Sequence, residues 1–247
     1  MNRDCMHYEE CGMDFCFYGV ECPDYKRFKP ILFNTEMVRA ILEGRKTVTR
    51  RIAKFEIDKK AESPIVMYGW NGSVGKHNKE VACIADFETK KAVSNTLNAP
   101  YSVDDILWVR ETWQLLPSGF EELPPEMNYI YKATHELSDE CTRWRPSIHM
   151  PKEAARIFLK VTDVRVERLQ DMCVDDAIKE GTWGNGQPHL PFSLLYEEHP
   201  SASCNAIASF AHIWDSTIKK QDIGKCDWNS NPYVWVIEFE RAEKPND

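Results

Sequence analysis

TEMVRAILEGRKTVTRRI, residues 35–52, changes its period at Gly44. Before the glycine, Met37/Ile41 and Val38/Leu42 are i,i+4 pairs on one helical face. Thr35 or Asn34 can cap the start of that helix. The periodic residues end at about Glu43, and Gly44 suits the left-handed position that closes a helix. After it, KTVTRRI is rich in β-branched residues and predicts a strand. The stretch therefore reads as helix, glycine turn, strand. Lys46 and Thr49 fall at the mouth of the strand, on the kind of junction that assembles small-molecule sites.

Working outward, RFKPILFN (27–34) predicts a strand before the helix. Downstream, VMY and EVACIADF predict two strands around the loop GWNGSVGKHNK. That loop fails as a phosphate loop, because Gly69 to Gly75 is one residue too long and His77 stands where Ser or Thr is needed. DDILWVRETW (104–113) predicts a strand with an acidic lead-in, NYIYKA another, and ARIFLKVTDVRVERL the longest. WRPSIHMP carries two prolines and cannot be regular throughout. VDDAIKEG predicts a short helix with Asp175 and Asp176 in its first turn, where the helix dipole favours acids. CNAIASFAHIWDSTIK (204–219) predicts a helix, and PYVWVIEFER a closing strand. The order suits an α+β fold, a small mixed β-barrel with helices packed on its outside.

Residues 1–26 stand apart as a small cysteine-rich N-terminal segment. Four of the nine cysteines, Cys5, Cys11, Cys16 and Cys22, lie there with His7 nearby. An odd total and no signal-peptide core argue against a disulfide framework and predict a cytoplasmic protein. A closed zinc site on the four thiolates would give the segment a reason to fold. Free thiols and an iron–sulfur cluster are the other readings. Any zinc is read as structural: His7 and Glu9 supply a His-x-Glu, but the Pro-Cys-x-x-Cys of a zinc deaminase is missing. No apolar run approaches a membrane span, so no membrane partner is expected.

The chain carries a net charge of −8, yet residues 39–54 hold six basic residues and one acid. The acidic balance argues against non-specific wrapping of nucleic acid; a phosphate-bearing partner would have to meet this local patch. A solvated basic strand edge is one reading, and arginines gripping a phosphate another. A third is chemical. A threonine hydroxyl is a weak nucleophile and needs a base nearby; a lysine whose pKa is lowered by burial or by Arg45, Arg50 and Arg51 can serve. Glu180 ends the VDDAIKEG helix before Gly181, where a carboxylate is misplaced by about 0.3–1 kcal/mol. An exposed residue that tolerates this small cost is one reading; a carboxylate held near a cation such as Lys46 is the other. Trp144 and Trp183 are either base-stacking or core residues, and His149 reads as structural. Trp108, Trp214 and Trp235 lie in strongly patterned segments and read as core.

AILEGRKTVTRR, with DDILWVRETW, VTDVRVERLQDMCVDDAIKEG and VWVIEFER, resembles an ASCH domain, which has a PUA-like barrel. The pattern is similar to the larger ASCH proteins of phages and prophages and covers roughly residues 28–52 and 101–241. It makes 27–247 one ASCH/PUA-like domain with an insertion at about 53–100. The family includes a small bacterial amidohydrolase that removes the acetyl group from N4-acetylcytidine. The resemblance implies that Thr49 is the nucleophile, Lys46 its activator and Glu180 the assisting acid, with no cofactor for catalysis. Arg51 also matches an arginine of that enzyme, implying substrate or structural support. Arg45, Arg50, Arg51, Trp144 and Trp183 are then the candidate substrate-binding residues for a nucleoside or RNA. A non-catalytic PUA-like module that binds RNA or a modified nucleotide is the alternative reading. A barrel acting only as a scaffold for residues 53–100 is a third.

Overall fold

The computed structural model describes residues 28–57, 64–71, 79–89, 91–116, 128–135, 143–184, 187–188 and 202–244. Its centre is a five-stranded sheet built from β1 (Phe28–Leu32), β2 (Val48–Ile52), β6 (Ile106–Arg110), β9 (Phe158–Arg168) and β12 (Tyr233–Ala242). The strand order is β1-β6-β9-β12-β2. Only β1 and β6 run parallel; the other neighbours are antiparallel. A second sheet of three strands holds β3 (Pro64–Asn71), β4 (Lys79–Asp86) and β5 (Leu97–Asn98). Short ladders join β7 (Trp113–Leu115) to β8 (Tyr129–Tyr131), and β10 (Trp183–Gly184) to β11 (Gln187–Pro188). The helices are α1 (Thr35–Leu42), α2 (Val174–Lys179) and α3 (Ala202–Thr217). The class is α+β.

The helix–turn–strand opening forms as its local chemistry dictates. Asn34 caps α1, its Oδ1 accepting from Met37 N at 2.8 Å. Glu43 is the C-cap and Gly44 follows at φ 75°. Gly44 N donates to Ile41 O and Arg45 N to Ala40 O, the paired bonds of a Schellman turn. Val38, Ala40 and Ile41 are the buried face of α1. Burial of Val38 and Ile41 contributes about 1.5–3 kcal/mol each.

Period-two alternation sorts the central sheet into two faces. On one lies the main core, with Ile31, Leu107, Leu159, Trp235 and Ile237 under α1 and the second sheet. Ala82, Ile84 and Ala99 belong to that same core, so β4 and the residues just after β5 pack into it. On the opposite face, Val48, Val234 and Val236 pack against Ala177 of α2 and Phe210 of α3. Further along that face, Ile106 and Phe158 pack against Trp113, Tyr131 and Met150.

Three sequence expectations are corrected. The strand expected over 104–113 breaks after Arg110, where its pairing with β1 ends, and resumes at Trp113 with β8 as partner; Glu111, between them, is buried in a two-point pair with Arg156, at 2.8 and 2.9 Å. The expected loop GWNGSVGKHNK is partly strand, since β3 runs through Asn71 and β4 starts at Lys79. Trp108 is half-buried, on the face away from the main core, whereas Trp214 and Trp235 are buried. The ladders draw open sheets, with β1 and β2 as the edges of the larger one. The guanidinium of Arg51 reaches across, donating from β2 to Leu32 O at the end of β1 at 3.0 Å.

Candidate active site

β2 places alternate residues on opposite faces of the sheet. Thr49 and Arg51 pair with Ile237 and Trp235 of β12, so they face the main core. Val48 and Arg50 pair with Glu238 and Val236 and face α2 and α3. Lys46 precedes the strand, at the open end of the sheet. It is held there by the α1 turn, where its backbone N donates to Ala40 O, and Thr47 N donates to Lys179 O of α2.

Lys46 is 2 % exposed, Thr49 1 %, Arg50 2 % and Glu180 8 %. A buried ammonium must satisfy its three donors internally. Lys46 Nζ does so, reaching Glu180 Oε2 at 2.5 Å, Val48 O at 2.7 Å and Glu180 O at 3.0 Å. It also lies over the Phe33 ring, 5.7 Å from the centroid. Burial pushes the Lys46 amine below its usual value of 10.5. Glu180 opposes that shift, while Arg51 and Arg50 add to it. Burial likewise lowers Arg51 below its usual value, and its guanidinium lies 5.5 Å from the same Phe33 ring.

Glu180 is the C-cap of α2, the position that the helix dipole disfavours for a carboxylate. Lys46 from one side and Arg50 from the other compensate, the latter through Nη1 to Oε1 at 3.2 Å. Gly181 follows at φ 86°. A Cβ there would stand 2.8 Å from Ala40 Cβ and 3.1 Å from Lys46 Cβ, so glycine lets α1, α2 and Lys46 meet. Thr182 Oγ1 satisfies Ala177 O at 2.7 Å. Arg45 joins the same corner, donating to Gly181 O at 2.8 Å and to Glu43 at 2.6 Å.

The structure thus joins Lys46, Arg45 and Arg50 to the Glu180–Gly181 turn by direct contacts, and Arg51 shares the Phe33 ring with Lys46; Thr49 follows on β2, on the side that faces the main core. Arg50 lies on the opposite face from Thr49, its fork turned to Glu167, Asp176 and Glu180. Trp144 is half-buried and next to Arg145, which bridges to Trp113; no contact among the described residues ties it to Lys46 or Glu180. Trp183 lies in β10, three residues past Glu180, and its side chain is outside the described residues. Cys5, Cys11, Cys16 and Cys22 also lie outside them. Among the described residues no group of three or more His, Cys, Asp or Glu could hold a metal ion. His149 is exposed in a short turn of 3₁₀ helix.

Sequence reasoning missed the partners that hold Arg50. Glu167 and Asp176 are 117 and 126 residues away in the chain, counting 167 − 50 and 176 − 50. The only signal was the adjacency of two arginines in a strand, which necessarily face opposite ways. No protein-family model, curated protein or solved structure matches the chain. Among the described residues no helix is long and apolar enough to cross a membrane.

Proposed function

We propose that this protein is an ASCH-type amidohydrolase on a PUA-like scaffold, acting on an acylated nucleobase or nucleoside such as N4-acetylcytidine. The observation that carries the reading is the buried contact of Lys46 Nζ with Glu180 Oε2, 2.5 Å across 134 residues of chain, at the mouth of the strand that bears Thr49. A lysine with a pKa lowered by burial is suited to take a proton from a hydroxyl. Thr49 Oγ1 attacks the acetyl carbonyl while Lys46, as the neutral amine left after it gives up a proton to solvent, takes the hydroxyl proton. Collapse of the tetrahedral intermediate breaks the C–N bond, and the nucleobase amine leaves with a proton passed through Glu180. Water then hydrolyses the acetyl–Thr49 ester and releases acetate. The Arg51 bridge from β2 to Leu32 O supports the barrel-like scaffold, since it links the two edges of the sheet.

One observation favours a second reading, a non-catalytic module that binds RNA or a modified nucleotide. Thr49 is buried and all three Lys46 donors are spent, so the corner is closed in this state. Turnover of N4-acetylcytidine by the purified protein, followed by chromatography, decides between them. The expected result is release of cytidine and acetate, lost in folded Thr49→Ala and Lys46→Met variants. Absence of cytidine, with RNA binding that weakens steeply with salt, would favour the module.

A further inference from the structure

We infer that Arg50 is a positioning residue for the Lys46–Glu180 pair: it holds Glu180 Oε1 from behind the sheet so that Oε2 is presented to Lys46. The role rests on the hydrolase reading for its functional meaning, but its geometry stands without it.

The six residues of α2 are too few to hold a helix on their own, so tertiary ties must set its rotation. Arg50 supplies such a tie. Its Nη1 donates to Glu180 Oε1 at 3.2 Å, and its Nη2 lies 3.5 Å from Asp176 Oδ2, one helical turn earlier. A single planar fork thereby touches residues i and i+4 of α2 on the face that meets the sheet. The fork is itself fixed from β9. Glu167 Oε1 accepts from Arg50 Nη2 at 2.6 Å and from Nε at 3.2 Å. Arg165 Nε lies 3.5 Å from the other oxygen of Glu167, and Arg165 Nη1 pairs with Asp163 and Glu238 at 2.8 and 2.6 Å. An ordered chain of charges thus runs from the β9–β12 surface to the buried amine. The Phe210 ring of α3, 5.9 Å from the guanidinium carbon, closes the remaining side.

The charged groups that act on the Lys46 amine are Glu180 from α2 and Arg50 and Arg51 from β2. Glu180 raises its pKa by charge and by hydrogen bond, and this outweighs the opposing effect of the Arg50 charge. Two roles for Arg50 therefore have opposite signatures. If Arg50 acts only as a nearby charge, its removal moves the Lys46 titration up. If it positions Glu180, its removal loosens the stronger contact and moves the titration down.

The test is the pH titration of the Lys46 side-chain carbon resonance in the full-length protein, assigned against Lys46→Met. Wild type is compared with Arg50→Gln, Arg50→Lys and Glu167→Gln. The expected result is a lower midpoint in Arg50→Gln, a smaller shift the same way in Glu167→Gln, and partial restoration in Arg50→Lys. Arg50→Lys keeps the positive charge but loses the planar fork, so it decides the role even if Arg50→Gln does not fold: a lowered midpoint there cannot come from lost charge. With N4-acetylcytidine, kcat of the variants falls by about tenfold or more while KM stays within about twofold. An unchanged or raised midpoint in folded variants overturns the positioning role. Inactivity of the wild type would instead sink the substrate assignment, and the titration would still decide the role of Arg50.

Discussion

Glu180→Gln leaves the Lys46 ammonium buried beside a neutral amide, and Lys46→Met leaves Glu180 with Arg50 alone. Breaking a buried pair from one side costs about 3–5 kcal/mol, chiefly as the desolvation of the charge left behind. Each single variant is therefore expected to lose stability on that scale in urea unfolding. The double variant should lose clearly less than the sum, because no uncompensated amine remains. Lys46 also gives stability a definite pH dependence. Its folded-state pKa lies below 10.5, so between the two values the folded protein binds fewer protons than the unfolded chain. Stability gained from this group rises with pH across that window and levels off near 10.5. The gap between wild type and Lys46→Met should shift in favour of wild type as pH climbs through it. A gap that stays flat would mean that the amine keeps its usual pKa, and one that narrows that its pKa is raised on folding.

At the scale of elements, two glycines end two helices with different consequences. Gly44 and Gly181 both have positive φ, 75° and 86°. An added Cβ at Gly44 meets nothing within 4 Å, so Gly44→Ala should cost only the backbone strain of about 1–2 kcal/mol. At Gly181 the Cβ would stand 2.8 Å from Ala40 Cβ and 3.1 Å from Lys46 Cβ. Gly181→Ala must therefore separate α2 from α1 as well, and unfolding in urea should show a loss clearly greater than that of Gly44→Ala. Equal losses would mean that the two helices part without cost. The difference illustrates what the sequence discloses. The α1 turn is written in adjacent residues, so its cap, period and glycine could be read directly. The oddity of a glutamate closing α2 was legible too, since it offends the dipole within its own helix. The break after β6 was not, because it falls where the backbone partner changes from β1 to β8, strands far apart in the chain. Nor was the role of Arg50, whose three carboxylate partners come from β9 and α2.

Across the whole molecule, the three-stranded sheet has to be tied to the central one, and β9 provides the place. Its first residues pair with β6 through Phe158, Leu159 and Lys160, but β6 goes no further. By Val166, β9 has its β12 partner on one side and no β6 residue on the other. Tyr68 of β3 fills that position. Its hydroxyl accepts from Val166 N at 2.8 Å and donates to Val166 O at 3.1 Å, as a paired strand would. Tyr68→Phe leaves both backbone groups without this partner and should cost about 1–3 kcal/mol, nearer the lower end where water can enter. Hydrogen exchange at Val166 should accelerate more than at Leu159, which keeps its β6 pairing. Burial raises the phenol above its usual 10.0. The folded protein then holds this proton more tightly than the unfolded chain, so the tie is intact below pH 10.0 and its contribution fades as pH rises through the raised value. Tyr68→Phe should lack that alkaline loss. Identical exchange at Val166 in the variant and in wild type would show that the second sheet is held by its share of the main core, through Ala82 and Ile84, and that the hydroxyl adds nothing.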